Sequence, residues 1–323
     1  MHWIKRNFRQ LLSCYPVGFA PPLVVFAMWA FVFLRLTVAQ QLGQRTFSSP
    51  EGASHALYVA FQTGDDKALL DILGPDSKQI VASGDDFEDL QHRSEFVEKY
   101  EERHQLVQQS DGTAALYIGA ENRAFAIPLV NKDGIWHFDT DAANQKILLR
   151  RIAKNELATV QVCYELVDAE KQYYERLRGA DGVQHYAEKF VSNEGEHNGL
   201  FWLGADDEFA SPIDPRVANA GSRDGIASQL RNGPIPFQGY YFRILTRQGS
   251  SAAGGAEDYV VNGKMIRGFA FLAYPAEYRS LGVMTFVVNQ DRIVYEKDLG
   301  TRTIELAQSM TEYNPDSSWR RSE

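Results

Sequence analysis

The chain is poor in cysteine, and this shortage limits how it can be stabilised. Only two of its 323 residues are cysteines, Cys14 and Cys163. Because Cys14 lies in a leader-like segment, we expect no disulfide bond within the rest of the chain. Cys163 falls on the apolar side of a predicted helix, where a buried thiol behaves as a small, inert hydrophobic group. An oxidising compartment is still compatible with such a protein.

Basic residues are outnumbered by acidic ones, and this balance disfavours polyanionic partners. There are 33 Lys and Arg residues against 42 Asp and Glu residues, which gives a formal net charge of −9. The first 39 residues contain Lys5, Arg6, Arg9 and Arg35 but no acid, so the remainder is more acidic still. An acidic surface repels phosphate backbones, and we therefore predict no nucleic-acid partner.

Several motifs of familiar catalytic and metal chemistry are also missing. The sequence has no G-x-S-x-G elbow, no G-x-x-x-x-G-K-[ST] phosphate loop, and no H-x-H, H-E-x-x-H or C-x-x-C pattern. We therefore predict no metal site and no cofactor, and we favour a protein that is not an enzyme. Adjacent acids such as Asp85-Asp86 and Glu101-Glu102 are expected to face water, so they do not indicate a glycosidase.

Residues 1–39 have the pattern of an export signal. Basic residues come first, the apolar stretch Leu23–Leu34 follows, and Thr37–Ala39 offers small residues before a cleavage site. The apolar stretch is shorter than the roughly 20 residues of a membrane span, which favours cleavage over an uncleaved anchor. We expect a periplasmic protein; the alternative is a chain anchored in the inner membrane through this segment and facing the periplasm.

One long helix is predicted over Asp141–Leu177, because no Pro or Gly interrupts this run and apolar residues recur at helical spacing. Glu165, Asp168 and Gln172 fall on its polar side, which we expect to be solvated. The helix divides the sequence into two parts. We predict an α+β protein with a small domain of helices and a hairpin at 46–140 and a second domain, the long helix with an antiparallel sheet, at 141–323.

The first domain is predicted to contain helices and then strands. Ser49 and Pro50 mark a helix start, and Asp133-Gly134 marks a hairpin turn, because this pair accepts positive φ. This order resembles the cone-shaped NTF2-like and cystatin-like folds. The predicted helices run from Ser49 to about Gln62, over Asp65–Leu73 and over about Asp85–Leu106, and the predicted strands are Ala114–Ile118, Phe125–Val130 and Ile135–Phe138.

The second domain is predicted to be rich in strands after a short helix at Gly182–Ser192 and a loop-rich segment at 195–239. Asn262-Gly263 is the strongest hairpin signal of the chain. A long helix before an antiparallel meander resembles the layout of a pilin-like head. The predicted strands are Tyr240–Thr246, Tyr259–Val261, Lys264–Ile266, Phe269–Tyr274, Val283–Asn289 and Ile293–Lys297, followed by a helix at Thr301–Tyr313 and a tail at 314–323.

Several blocks of sequence stand out together: Arg150–Ile152, Asn155–Leu157, Val160–Cys163, Gly239–Thr246, Asp258–Ile266, Tyr274–Tyr278, Phe286–Asp291 and Tyr295–Gly300. With these blocks the chain resembles one bacterial family, the domain-of-unknown-function-2950 (DUF2950) proteins, over about Phe47–Trp319. The resemblance implies an exported bacterial protein and no assigned activity. Relatives tend to have an Asp-rich turn after the long helix, but here Arg178–Gly182 has one acid, so we predict no calcium site.

Two groups of polar residues are candidates for binding a ligand or partner. Arg151, Asn155 and Glu156 lie in the first half of the long helix, where both domains should contact it; they form either an interdomain hydrogen-bond network or one wall of a pocket. The second group shares a predicted strand face and suits an interface, since Tyr and Arg are common in hot spots. It consists of Tyr240, Arg243, Lys264 and Tyr274.

Two functions remain open from the sequence. The first is a non-catalytic protein of the bacterial envelope that binds an envelope protein partner or takes part in an assembly. The second is a periplasmic hydrolase or small-ligand-binding protein, with its pocket in the N-terminal domain or under the loop at 195–239. A pocket that gathers titratable side chains from separate elements would favour the second hypothesis.

Overall fold

The computed structural model describes residues 43–176, 182–202, 210–221 and 234–322. The leader at 1–39, the calcium-loop position at 178–181 and parts of the loop at 195–239 lie outside these ranges. The described residues form helices and antiparallel sheets, so the predicted α+β class is confirmed. The likenesses to NTF2-like, cystatin-like and pilin-like folds and the domain boundaries stay predictions.

The N-terminal part packs helices on a small antiparallel sheet. The helices are α1 (Pro50–Thr63), α2 (Asp66–Leu73), α3 (Lys78–Val81, after a 3-10 turn at Pro75–Ser77) and α4 (Asp86–Glu102). The strands are β1 (His104–Gln108), β2 (Ala114–Ile118), β3 (Arg123–Ala124), β4 (Leu129–Lys132) and β5 (Ile135–Phe138). The sheet has the order β1-β2-β4-β5, with β3 paired to β2.

The starts of these helices follow the sequence closely. The Ser49 Oγ accepts a hydrogen bond from the Gly52 N–H, and Asp65 caps α2 by accepting from the Ala68 N–H. The prediction that the third helix runs to Leu106 is wrong, because residues from His104 onward pair with β2. Strand formation depends on such a neighbour more than on the local sequence.

The turn at Asp133-Gly134 is confirmed. Asp133 and Gly134 have φ values of +54° and +84°, as a two-residue hairpin between β4 and β5 requires. The preceding strand begins at Leu129 and not at Phe125.

The long helix is also confirmed. It is α5 (Thr140–Arg176, 37 residues), which spans about 55 Å at 1.5 Å per residue. Near its start Ala143 packs into a core formed mainly by α1, α2 and β2, whereas residues from Val162 to Tyr173 pack into a second core against the C-terminal strands. Cys163 is fully buried in this second core, and burial raises the pKa of its thiol to about 12.

The C-terminal part is rich in antiparallel strands. The strands are β6 (Tyr240–Leu245), β7 (Arg247–Gln248), β8 (Glu257–Asp258), β9 (Val260–Val261), β10 (Lys264–Met265), β11 (Ala270–Pro275), β12 (Met284–Asn289), β13 (Val294–Asp298) and β14 (Arg320–Arg321). Five of them form an antiparallel sheet in the order β14-β13-β12-β11-β6. Asn262 and Gly263 have positive φ, which confirms the turn between β9 and β10, but that hairpin forms a separate two-stranded sheet.

Four further predictions in this half differ from the structure. Residues 182–192 form bends and isolated bridges instead of a helix, because Tyr186 pairs with Met265 and Val191 with Phe201. The last helix is shorter than predicted: α7 covers Thr303–Ser309 after a 3-10 turn at Gly300–Arg302. The tail contributes β14 to the sheet, and Pro215–Gly221, inside the predicted loop, is helix α6.

The register of β6 and β11 assigns their side chains to two faces. Tyr241 stands opposite Tyr274 and Arg243 opposite Leu272, so these four share one face. Tyr240 and Phe242 point to the other face, which packs on α5.

Within the residues that the structure describes, no helix is both long and apolar enough to cross a bilayer.

A buried carboxyl on α5 gives the second core a dependence on pH. Glu170 is completely buried; its Oε2 accepts from the Ala187 N–H at 2.9 Å, and no partner within the described residues meets its Oε1. Burial first, and then the nearby Glu188 carboxylate, raises the pKa of Glu170 well above its ordinary value of 4.5. The folded state therefore keeps a proton that the unfolded state loses first.

We predict that the Glu170→Gln substitution weakens this pH dependence. Since the pKa is raised in the folded state, the free energy of unfolding of the natural protein should fall as pH rises above about 4.5, whereas the variant lacks this contribution. Urea unfolding of both proteins between about pH 4.5 and 8 measures the difference. The exposed Glu175→Gln, on the same helix, is the control. Parallel curves for Glu170→Gln and the natural protein would contradict the assignment.

Candidate functional site

The first predicted group on α5 bonds to the main chain of both halves. Arg151 donates to the carbonyl oxygens of Gln79 and Ile80, with Nη2 at 3.2 Å from the latter. Asn155 is fully buried and donates to the carbonyl oxygen of Leu281 at 3.0 Å. These contacts match the network that we considered as one of the two interpretations.

Glu156 completes this group by capping the start of β12. Its Oε1 accepts from the N–H groups of Val283 and Met284 at 2.9 and 3.0 Å. Burial raises the pKa of Glu156, and these two hydrogen bonds oppose that rise. Because one carboxylate oxygen serves two backbone donors, Glu156 fixes where the β12 edge meets the helix.

Acids of α4 reinforce the same junction, which the sequence did not reveal. Asp85 is 1% exposed, so the expectation that it faces water is wrong. It caps α4 through the Glu88 N–H at 3.1 Å, and its other oxygen accepts from the Gly239 N–H at 3.2 Å. Burial raises the pKa of Asp85. Lys154 on α5 donates to Glu88 at 3.1 Å, so the junction combines main-chain bonds with a partly buried ion pair.

The second predicted group is not brought together. Tyr240 is fully buried against α5 and donates to the Met284 carbonyl oxygen at 3.0 Å. Arg243 lies on the opposite face of the sheet and donates to the carbonyl oxygens of Ala307, Gln308 and Met310 at 2.8–3.1 Å, at the end of α7. Tyr274 is 2% exposed beside Tyr241. Lys264 lies in the separate β9–β10 hairpin.

The expected exposed strand face is therefore not present at these four positions. Tyr240 and Tyr274 alternate to opposite faces, and each face is covered by helix or loop. Arg243 satisfies the free carbonyl groups at a helix end, a structural use of a guanidinium.

A cleft lies beside the middle of α5, at a place that the sequence indicated only through the loop at 195–239. It has a volume of about 340 Å³. From α5 it is lined by Val162, Glu165, Leu166, Asp168 and Gln172, and from the facing segment by Pro212, Ile213, Asp214 and Val217. The apolar members form a floor, and the acidic members come from two separate elements.

The carboxylates of the cleft have side-chain partners of different strength. Glu165 accepts from the amide of Gln161 at 3.3 Å. Asp168 accepts from Arg292 at 2.9 Å through Oδ2. Asp214 is paired with Arg216 through both oxygens, at 3.1 and 2.8 Å, and this pairing lowers the pKa of Asp214.

Aromatic rings hold the Asp214–Arg216 pair in place. The Arg216 guanidinium lies 5.6 Å from the ring centre of Phe87 and 5.0 Å from that of Phe237. A guanidinium over aromatic faces gains cation–π attraction. Phe87, in the first turn of α4, is 51% exposed. The cleft is thus fixed at one end by a neutralised ion pair and has two carboxylates on α5.

The described lining of the cleft contains few kinds of chemical group. The described residues that line it include carboxylates, one amide and apolar groups, but no His, Ser, Thr, Cys or Lys. In the described ranges there is also no cluster of three or more His, Cys, Asp and Glu side chains suited to a metal ion. The sequence predicted that Glu165, Asp168 and Gln172 lie on a solvated face of the helix. These residues recur every three or four positions next to Val162 and Leu166, and that spacing was the one indication in the sequence that they share a surface with apolar residues.

The structure thus defines an α+β protein with a junction on one long helix and a partly acidic cleft beside it. The chain belongs to the family described as "Protein of unknown function (DUF2950)", whose model matches residues 44–322. The family predicted from the sequence blocks is therefore confirmed. A comparison with curated proteins finds no match. A comparison with solved structures finds none either.

We predict that Glu156→Ala destabilises the fold by about 1–3 kcal/mol, because it leaves two backbone N–H groups without their acceptor. Glu156→Gln keeps a carbonyl acceptor at the same place and should retain most of the stability. Urea unfolding of the two variants beside the natural protein measures both effects. Equal losses in Ala and Gln variants would show that the charge of Glu156, and not its two accepted bonds, matters.

Proposed function

We propose that this protein is an exported, non-catalytic binding protein of the bacterial cell envelope, and that the cleft beside α5 is its binding site. The observation that carries the proposal is the lining: Glu165 and Asp168 from α5 face Asp214 from another element across an apolar floor. A volume of about 340 Å³ is within the range of roughly 300–1,000 Å³ that small-molecule sites occupy.

The choice of a binding protein over an enzyme rests on the same residues. The sequence left open a second hypothesis, a periplasmic hydrolase or small-ligand-binding protein with its pocket under the 195–239 loop. The cleft lies against that segment, and its lining favours ligand binding over hydrolysis. The described lining supplies carboxylates and one amide, but no His, Ser, Thr, Cys or Lys. One of its acids is committed to Arg216 by a bidentate pair, which leaves it poorly suited to exchange protons.

The strand face that the sequence suggested as an interface is not the binding site in this proposal. Tyr240 and Arg243 hold the sheet to α5 and α7 through main-chain bonds. Changing both to Ala would test folding and not binding. Residues at the rim of the cleft are exposed, so they can be changed with less effect on the core; Gln172 is one of them.

Site-specific photo-crosslinking tests the proposed site. A benzoylphenylalanine at position 172, in the full chain in its native cells, should give an adduct after irradiation, detected by gel and by intact mass. The same group in place of Glu175, exposed on α5 but outside the cleft, is the matched control. A protein partner gives a large mass shift and a small ligand a small one. An adduct at 172 no stronger than at 175 would overturn the proposed site.

The envelope location is tested separately. The export pattern at 1–39 supports it, and the predicted cleavage before Gln40 gives a defined product. The N-terminal peptide of the protein from fractionated cells should begin at or near Gln40 in the periplasmic fraction. An intact Met1 in the membrane fraction would support the anchored alternative, and an intact Met1 in the cytoplasmic fraction would refute export.

A further inference from the structure

We infer that the cleft binds an aliphatic amine, a methylene chain that ends in an ammonium group such as a lysine side chain carries. The inference rests on the proposed function and names its ligand class. The apolar floor suits a methylene chain, because Val162, Leu166 and Ile213 have hydrocarbon side chains. Glu165 and Asp168 on α5 suit the charged end.

The charges within the cleft indicate where the ammonium is held. At the Asp214 end, Arg216 neutralises the carboxylate through both oxygens. At the α5 end, Arg292 pairs with Asp168 through Oδ2, whereas the described partner of Glu165 is a neutral amide. A cation gains most beside the carboxylate that is least compensated. The ammonium therefore belongs beside Glu165, and the chain runs along the floor towards Ile213.

An amine fits this site better than an anion or an uncharged polar ligand. An anion would have to approach three carboxylates, of which only Asp214 is fully paired. An uncharged polar ligand gains only neutral hydrogen bonds, which are weaker than those to an ionised partner. A methylene chain that ends in an ammonium group could come from either of two sources, a free diamine or a lysine of a partner protein.

Calorimetric titration of the full-length protein tests the inference and separates the two sources. The probes are 1,5-diaminopentane, the peptide Gly-Lys-Gly, and 1,5-pentanediol as the uncharged control. We expect one or both amines to bind and the diol not to bind. Binding of the diamine alone indicates a free amine, and binding of the peptide alone indicates a lysine of a partner. Binding should weaken at high salt, because the charges lie in a half-open cleft.

Variants with opposite expected signs distinguish recognition from a structural effect. Glu165→Gln removes a charge and should raise the Kd for the amine about three- to fivefold, since Glu165 is exposed and water screens its ion pairs. Arg292→Gln removes the cation that competes for Asp168 and should lower the Kd. Glu175→Gln, on the same helix but outside the cleft, should leave the Kd within about twofold.

The outcome of this titration is independent of the crosslinking result. No binding of either amine, or a Kd that Glu165→Gln does not change, would overturn the amine inference. If position 172 still gives its adduct, the cleft remains the binding site for another ligand class. If the adduct is also absent, the proposed function fails together with the inference.

Discussion

A single uninterrupted helix contributes residues to both hydrophobic cores, and the rest of the structure depends on it. Residues Thr140–Arg176 contain no Pro or Gly, so the backbone bonds of α5 continue from one core to the other. Ala143 packs into the first core and Val162 into the second. Because the helix is continuous, the position of each core along it sets the position of the other.

The junction on α5 is built from polar side chains because the chain must satisfy backbone groups there. Arg151 binds two carbonyl oxygens, Glu156 binds two N–H groups, and Asp85 binds the N–H of Gly239. A buried backbone group without a partner costs about as much as a lost hydrogen bond. Gly239 itself leaves no room for a side chain, since a Cβ would lie 2.7 Å from the Asn155 amide nitrogen. These residues are polar because segments that are distant in sequence meet at this point.

What the sequence predicted well was local. The turns at Asp133-Gly134 and Asn262-Gly263 follow from the positive φ of residues that tolerate it, and α5 follows from apolar spacing. The strand at His104–Gln108 was missed because it exists through its pairing with β2, a contact that no local pattern encodes. β14 was missed for the same reason, since two residues of the tail complete the sheet by pairing with β13.

The same limit applies to the candidate site. Arg and Tyr at positions 243 and 240 have the composition of an interface, yet their partners are a helix end and a strand carbonyl. Residue type shows that a polar group needs a partner, but not whether that partner is the protein itself. Only the tertiary structure distinguished Asp85, which is buried at the junction, from an acid that faces water.

Four acids of α5 divide into two kinds, and this division separates acids that hold the fold from acids that are open to a ligand. Glu156 and Glu170 accept from backbone N–H groups, which are fixed in place by the fold. Glu165 and Asp168 have side-chain partners, Gln161 and Arg292, which can rotate away into water. A ligand that competes with a side chain has to replace one solvated bond, whereas a ligand that competes with the backbone has to leave a buried donor unpaired. A ligand can therefore bind at Glu165 and Asp168, which line the cleft, without disturbing the fold.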